Sequence, residues 1–169
     1  MKNLCQSLRY SGLFIVFLSL VGCGFKLRGT EPLSLQQVFL QTEGVEPLLE
    51  TELSTALQNH GVNVVTSPTQ SRYIIKLYHT SLEQTLTSTS TDMQVRNYII
   101  TYGLQYQILR PDGQAITPIQ RLSLTRSYTA NTTQILNDRQ AFSTIRQSLR
   151  QEAIKQLFER IRALKLAHT

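Results

Sequence analysis

From Tyr98 to Ile108 every second residue is large and apolar: Tyr98, Ile100, Tyr102, Leu104, Tyr106 and Ile108. Thr101, Gly103, Gln105 and Gln107 stand between them, polar or small, with Ile99 the exception. A period of two sustained over eleven residues predicts a strand with one face on a core and the other towards something polar. The rest of the chain must build around that division. Pro111-Asp112-Gly113 reads as the turn that follows, Pro presetting φ and Gly accepting positive φ. The returning strand, 116–128, carries Leu122, Leu124 and Tyr128 on one face, with Arg121, Ser123, Thr125, Ser127 and Thr129 on the other. Pro118 should force a bulge or an edge position. Arg126 shares the parity of Leu124 and Tyr128, so it either snorkels past the core or is turned outward by a bulge. Pairing with a helix carboxylate is its expected role.

Upstream, 35–42 is a short strand candidate that Glu43-Gly44 breaks. A helix begins near Pro47, with Glu46 and Glu50 beside its positive end. Leu49, Leu53, Ala56 and Leu57 form its apolar stripe, and Gly61 stops it after His60. Extended pattern resumes at 62–65 and again from Arg72. The 85–91 run (TLTSTST) reads as either a polar hairpin end or a mobile loop. Asn137 or Asp138 can cap a final helix reaching Ala167, roughly 40 Å long at 1.5 Å per residue. Phe142, Ile145, Leu149, Ala153, Leu157, Ile161 and Leu164 make its core-facing stripe. The order β-α-β-β-β-α predicts an α+β two-layer sandwich. About four strands should form a mixed sheet, with a parallel first pair, an antiparallel meander and two helices on one face.

The front of the chain is of another kind. The 13–21 stretch (LFIVFLSLV) is apolar except for Ser19, with Lys2 and Arg9 upstream. It is far below the roughly 20 residues that span a bilayer, and it has the form of a secretory signal. Leu20-Val21-Gly22-Cys23 resembles a bacterial lipobox. That resemblance implies cleavage after Gly22, a thioether-linked diacylglycerol on Cys23 and an N-acyl chain such as palmitate. Gly24, in place of an Asp, points to the outer membrane. The expected organisation is a signal peptide at 1–22, a lipidated tether at 23–33 and a single domain at 34–169. Cys5 leaves with the signal and lipid consumes Cys23, so the fold must rest on packing rather than disulfides.

Charge is divided unevenly: residues 23–92 hold four basic and seven acidic groups, whereas 93–169 hold eleven and four. A basic half suits polyanionic partners, either phosphorylated lipid or an acidic protein wall. An exported lipoprotein does not meet nucleic acid, so none is expected.

The lipobox, Cys23-Gly24-Phe25-Lys26-Leu27-Arg28, the strand and turn from Tyr98 to Pro111, Thr117-Pro118-Ile119 and Arg126-Ser127-Tyr128-Thr129-Ala130-Asn131 occur in this order before the last helix. In that combination the chain resembles the LptE family of lipopolysaccharide-assembly lipoproteins. The resemblance implies a domain lodged one-to-one in the lumen of a large outer-membrane β-barrel, LptD, facing the periplasm. There it would aid barrel assembly, plug the lumen and help deliver lipopolysaccharide to the outer leaflet. The Gln/Thr/Ser face of the two best strands suits a polar lumen wall, and suits water equally. A free-standing periplasmic lipid-binding or scaffold lipoprotein is the alternative, and it would need a concave apolar pocket.

Arg139, Arg146 and Arg150, seven and four residues apart, share one stripe of the last helix. Guanidinium forks match phosphate bidentately, so they are candidate contacts to lipid phosphates or barrel carboxylates, unless the stripe is simply solvated. Arg96, at an expected sheet end, is a fourth candidate. No G-x-S-x-G, H-E-x-x-H or glycine-rich phosphate loop is present, so no catalytic residue is expected. His60, His79 and His168 lack partners at ligand spacing, so neither a metal nor any cofactor beyond the acyl chains on Cys23 is expected. Mass spectrometry of the mature chain should find Cys23 amino-terminal and acylated, and a Cys23→Ser variant unmodified. An unmodified, uncleaved wild-type chain would contradict the lipobox.

Overall fold

A computed structural model describes residues 35–92, 94–131 and 135–164. Strands β1 (Gln37–Thr42), β2 (Asn63–Val65), β3 (Tyr73–Thr89), β4 (Val95–Leu109) and β5 (Gln120–Asn131) are joined by helix α1 (Pro47–Asn59) between β1 and β2. A single 3-10 turn at Pro68–Gln70 leads into β3, and helix α2 (Ile135–Ala163) ends the described fold. The strands form one mixed sheet in the order β2-β1-β3-β4-β5. β1 runs parallel to both its neighbours, and β3, β4 and β5 form the antiparallel meander. The sheet has five strands where the sequence predicts about four. The short extended stretch after Gly61 pairs with β1, residue for residue from Gln37↔Asn63 to Phe39↔Val65. The signal, Cys23 and the tether lie outside the described residues.

β4 alternates as its pattern requires: Ile100, Tyr102, Leu104, Tyr106 and Ile108 are buried, and the residues between them are half-exposed. Both helices pack on the buried side. Pro47 occupies the first turn of α1, where its missing N–H costs nothing. At the other end Gly61, at φ 77°, closes the helix. Its N–H donates to the Gln58 carbonyl and that of Val62 to the Leu57 carbonyl, a Schellman pattern that satisfies two end carbonyls. Leu49, Leu53 and Leu57 are completely buried, each contributing about 1.5–3 kcal/mol of apolar transfer. α2 buries the predicted Leu149, Ala153, Leu157 and Ile161, and adds Ile154 and Phe158, which widen the stripe. It begins at Ile135, before the predicted caps Asn137 and Asp138, and ends at Ala163 rather than Ala167, which lies outside the described residues. Leu164, just past the helix, is 40% exposed.

β3 changes its inward parity on the way. Tyr73, Ile75 and Leu77 face the helices; a register shift between Leu77 and His79 then puts Thr80 and Leu82 on that side, opposite Leu104 and Tyr102. The Thr/Ser-rich run is strand as far as Thr89, exposed but held by its ladder to β4. The Ser90 hydroxyl donates to the Asp92 carboxylate and accepts the Val95 N–H, closing the turn. Pro118 precedes β5 and so leaves no gap in the ladder. Buried Thr117 beside it accepts the Ile108 N–H at 3.1 Å.

The β4–β5 ladder runs without a shift, so no bulge turns Arg126. Arg126 faces the helix side opposite Ile100 yet is exposed, leaning past the edge strand. Among the described residues no carboxylate pairs with it, so the expected ion pair does not form.

The Tyr102 hydroxyl is buried with no hydrogen-bond partner among the described residues. Burial is the main reason that its pKa rises from 10.0 to about 12. The folded chain therefore resists an ionisation that the unfolded chain undergoes freely, and stability is lost as pH rises from about 10 to about 12. Alkaline denaturation followed by circular dichroism should show that loss. Tyr102→Phe should lose less, and at pH 7 it should be as stable as wild type or about 1 kcal/mol more so, because an orphaned hydroxyl is removed.

Candidate functional site

Two surfaces of the sandwich are candidate contact sites. The first is the sheet face away from the helices. Along β4 and β5 it displays Thr101, Gly103, Gln105, Ser123, Thr125 and Ser127. This side is the predicted polar face, and no described element covers it. A hydroxyl-amide ladder crosses its upper end. The Asn97 amide nitrogen donates to Ser88 Oγ at 2.9 Å, and its oxygen accepts from Thr129 Oγ1 at 2.8 Å, tying β3, β4 and β5 together. Ile99 interrupts this surface, 36% exposed.

The second surface lies where the hairpin end of the sheet meets the start of α2. A groove of about 420 Å³ is lined by Arg96, Tyr98, Tyr128, Asp138, Arg139 and Phe142, with Gln84 and Ala130 completing it. Tyr98 and Tyr128 stack as a cross-strand pair, ring centroids 6.2 Å apart and 22° from parallel. The Tyr128 hydroxyl donates to the Asp138 carbonyl at 3.0 Å, pinning the first turn of α2 to the edge strand. Burial, then the contact with Asp138, holds that phenol above its ordinary pKa. Arg96 reaches the groove because even-numbered residues of β4 face the helices, and here the sheet has run past the buried helix stripe. Arg139 comes from the second turn of α2. Both are exposed, and neither forms an ion pair among the described residues. Two guanidinium groups in one groove with Tyr98, Tyr128 and Phe142 suit an anion attached to something apolar.

The other two arginines of the predicted stripe do different work. Arg150 is 4% exposed and grips Glu52 with both prongs of its fork, Nε to Oε2 at 2.9 Å and Nη2 to Oε1 at 2.7 Å. Its Nη1 reaches Glu46 Oε1 at 3.1 Å, and Arg146 joins the same oxygen at 2.9 Å. The cluster locks α2 to α1. Arg150 acts as a clamp between the helices, its hydrogen-bonding edge filled by Glu52 and Glu46. Arg146 is 45% exposed, and its charge is shared with Glu46. The stripe divides because the acids that hold it, Glu46 and Glu52, lie at the start of α1, and Arg139 is roughly 10 Å from Arg146 along α2 at 1.5 Å per residue.

Glu46 and Glu52 are the partners of the stripe that a reading of single segments misses. Glu46 shows in the sequence only as an acid at a helix start. The histidines sit apart: His60 packs edge-on against Phe158 at 5.1 Å, and His79 is exposed on the open face. No group of three His, Cys, Asp or Glu among the described residues is arranged to hold a metal ion.

A family model for lipopolysaccharide assembly, LptE, matches residues 31–161. The chain belongs to the LptE family. A relative, the LPS-assembly lipoprotein LptE of Yersinia enterocolitica, is 28% identical over 152 residues, covering 88% of this chain and 72% of that protein. The fold matches an uncharacterised lipoprotein B from Nitrosomonas europaea, with a TM-score of 0.73 and 23% identity over 85% of this chain and 94% of that one. Rare lipoprotein B from Shewanella oneidensis gives 0.67 with 16% identity, over 78% and 97% of the two chains. At these identities the solved structures speak for the fold alone. Membership of the LptE family places the chain among envelope lipoproteins of lipopolysaccharide assembly, in a non-catalytic role.

Removing Arg150 takes away the fork that holds Glu52 and leaves Glu46 with Arg146. Arg150→Ala should lower unfolding stability by about 3 kcal/mol, the low end for a broken buried pair, because both carboxylates keep some contact with water. Arg139→Ala should change it by less than about 0.5 kcal/mol. Urea denaturation of the two variants checks both values.

Proposed function

We propose that this chain is the lipid-anchored subunit of an outer-membrane lipopolysaccharide translocon. It would sit one-to-one in the lumen of an LptD-type β-barrel, aid the barrel's assembly and help pass lipopolysaccharide to the outer leaflet. The observation that carries this reading is the open sheet face. A strand layer that buries one side and leaves the other lined with hydroxyls and amides is suited to a polar wall, since barrel interiors present matching groups. Acyl chains on Cys23, bound to the periplasmic side of the outer membrane, would hold the domain at the barrel; two or more chains suffice for stable anchoring.

Within this reading the groove between Arg96 and Arg139 would receive lipopolysaccharide phosphate. Both guanidinium groups are free to fork onto it, and Tyr98, Tyr128 and Phe142 offer apolar surface to the adjoining acyl or sugar portion. Arg146 could join at the margin through its exposed side, whereas Arg150 would not.

Mild detergent extraction from the native envelope tests the proposal. The chain should bring down one large β-barrel protein in equal molar amount, and an Arg96→Glu/Arg139→Glu double variant should keep that partner while binding lipopolysaccharide at least tenfold more weakly. Recovery of the wild-type chain alone would contradict it.

A further inference from the structure

The open face carries a feature that general polarity does not explain. Strand registers align three rows across β3, β4 and β5. The middle row is Ser81-Gly103-Ser123; on one side of it lies His79-Gln105-Arg121 and on the other Glu83-Thr101-Thr125. The middle row is made of the smallest side chains, so the face dips there into a transverse trough of about 370 Å³. Gly103 keeps the floor low: a Cβ at that position would stand 2.5 Å from Ser81 Oγ and would have to turn that hydroxyl aside. A glycine inside a strand weakens it, and commonly marks close approach by a ligand or another backbone.

The rims are of opposite charge. Arg121 stands on one side, with His79 in the same row, and Glu83 on the other, all exposed. None of the three forms an ion pair among the described residues. Charged side chains on strand faces ordinarily find cross-strand partners of opposite sign. Here the two rows are about 13 Å apart, four residues at 3.3 Å each, and Arg121 and Glu83 are also two strands apart.

We propose that this trough is a docking socket for an extended, carboxylate-bearing polypeptide segment of the enclosing protein, laid across the strands. The inference rests on the reading that such a protein surrounds the domain. Serine hydroxyls on the floor both donate and accept, as a peptide backbone requires. The Arg121 side fits an acidic side chain, and Glu83 takes a basic or amide group on the opposite flank. No aromatic residue lines the trough, which favours a peptide over a sugar, since sugars use stacking platforms.

The test uses the full-length lipoprotein in its native envelope. A photo-reactive residue at Ser123 should cross-link to a single segment of the co-purifying protein, and that segment should contain Asp or Glu. Ser123→Trp, which fills the trough from an exposed position, and Arg121→Glu, which reverses the basic rim, should each reduce recovery of the partner at least fivefold. Circular dichroism should show both variants folded. Lys155→Trp, on the exposed side of α2, should leave recovery within twofold. Wild-type recovery by Ser123→Trp, or an equal loss from Lys155→Trp, overturns the socket while leaving the enclosing partner in place. A wild-type chain that recovers no partner removes both.

Discussion

The pleat of β4 is the constraint on which the rest depends. Successive side chains of a strand must point to opposite faces, so five large residues on one side commit the other side to whatever lies between them. Packing α1 and α2 over Ile100, Tyr102, Leu104, Tyr106 and Ile108 buries the first set almost completely. The same act leaves Thr101, Gly103, Gln105 and Gln107 without any described element above them. Core and contact surface are therefore two consequences of one alternation. A one-residue slip in pairing would exchange them.

Keeping that alternation over a long sheet needs correction at its neighbours. β3 begins with odd-numbered residues inward and ends with even-numbered ones inward, and the shift at Tyr78 reconciles the two. Its phenol is used on the outer side, donating to the Gln107 amide oxygen, with the Lys76 ammonium 4.9 Å from the ring centre. The helices in turn are fixed to each other by Arg150, whose fork spans Glu46 and Glu52. Packing sets the layer, and this ion cluster ties α2 to the start of α1. The Arg96–Arg139 groove lies nearer the start of α2, held by the Tyr128 bond to Asp138.

What could be read from the chain was what depends on neighbours in sequence. The β4 alternation, the Leu49-Leu53-Leu57 stripe and the stop at Gly61 are local patterns, and each appears in the fold. The short β2 was legible as extended but not as a fifth strand, because its pairing with β1 depends on how α1 returns the chain. The fate of the arginine stripe was not legible at all. Arg139, Arg146 and Arg150 look alike on a helical wheel, yet Arg150 meets Glu52 and Glu46, 98 and 104 residues away, and Arg146 meets Glu46 alone. The Thr85–Thr89 segment has little apolar signal of its own, which left a hairpin end and a loop both open, and it is strand because β4 holds it. Arg126 keeps the parity expected of it without the partner, since the edge of the sheet lets a long side chain reach water directly.

The open face joins the fold to the proposed role, and its exposure in the membrane is the most direct test. Thr125→Cys would place a thiol on that face, while Glu159→Cys would place one on the exposed side of α2 as an internal comparison. In isolated domain both should react promptly with a membrane-impermeant maleimide. In intact outer membranes the account predicts that position 125 becomes protected at least tenfold relative to its rate in the isolated domain, and that denaturing the partner restores it. Equal labelling at position 125 in both settings would contradict the account.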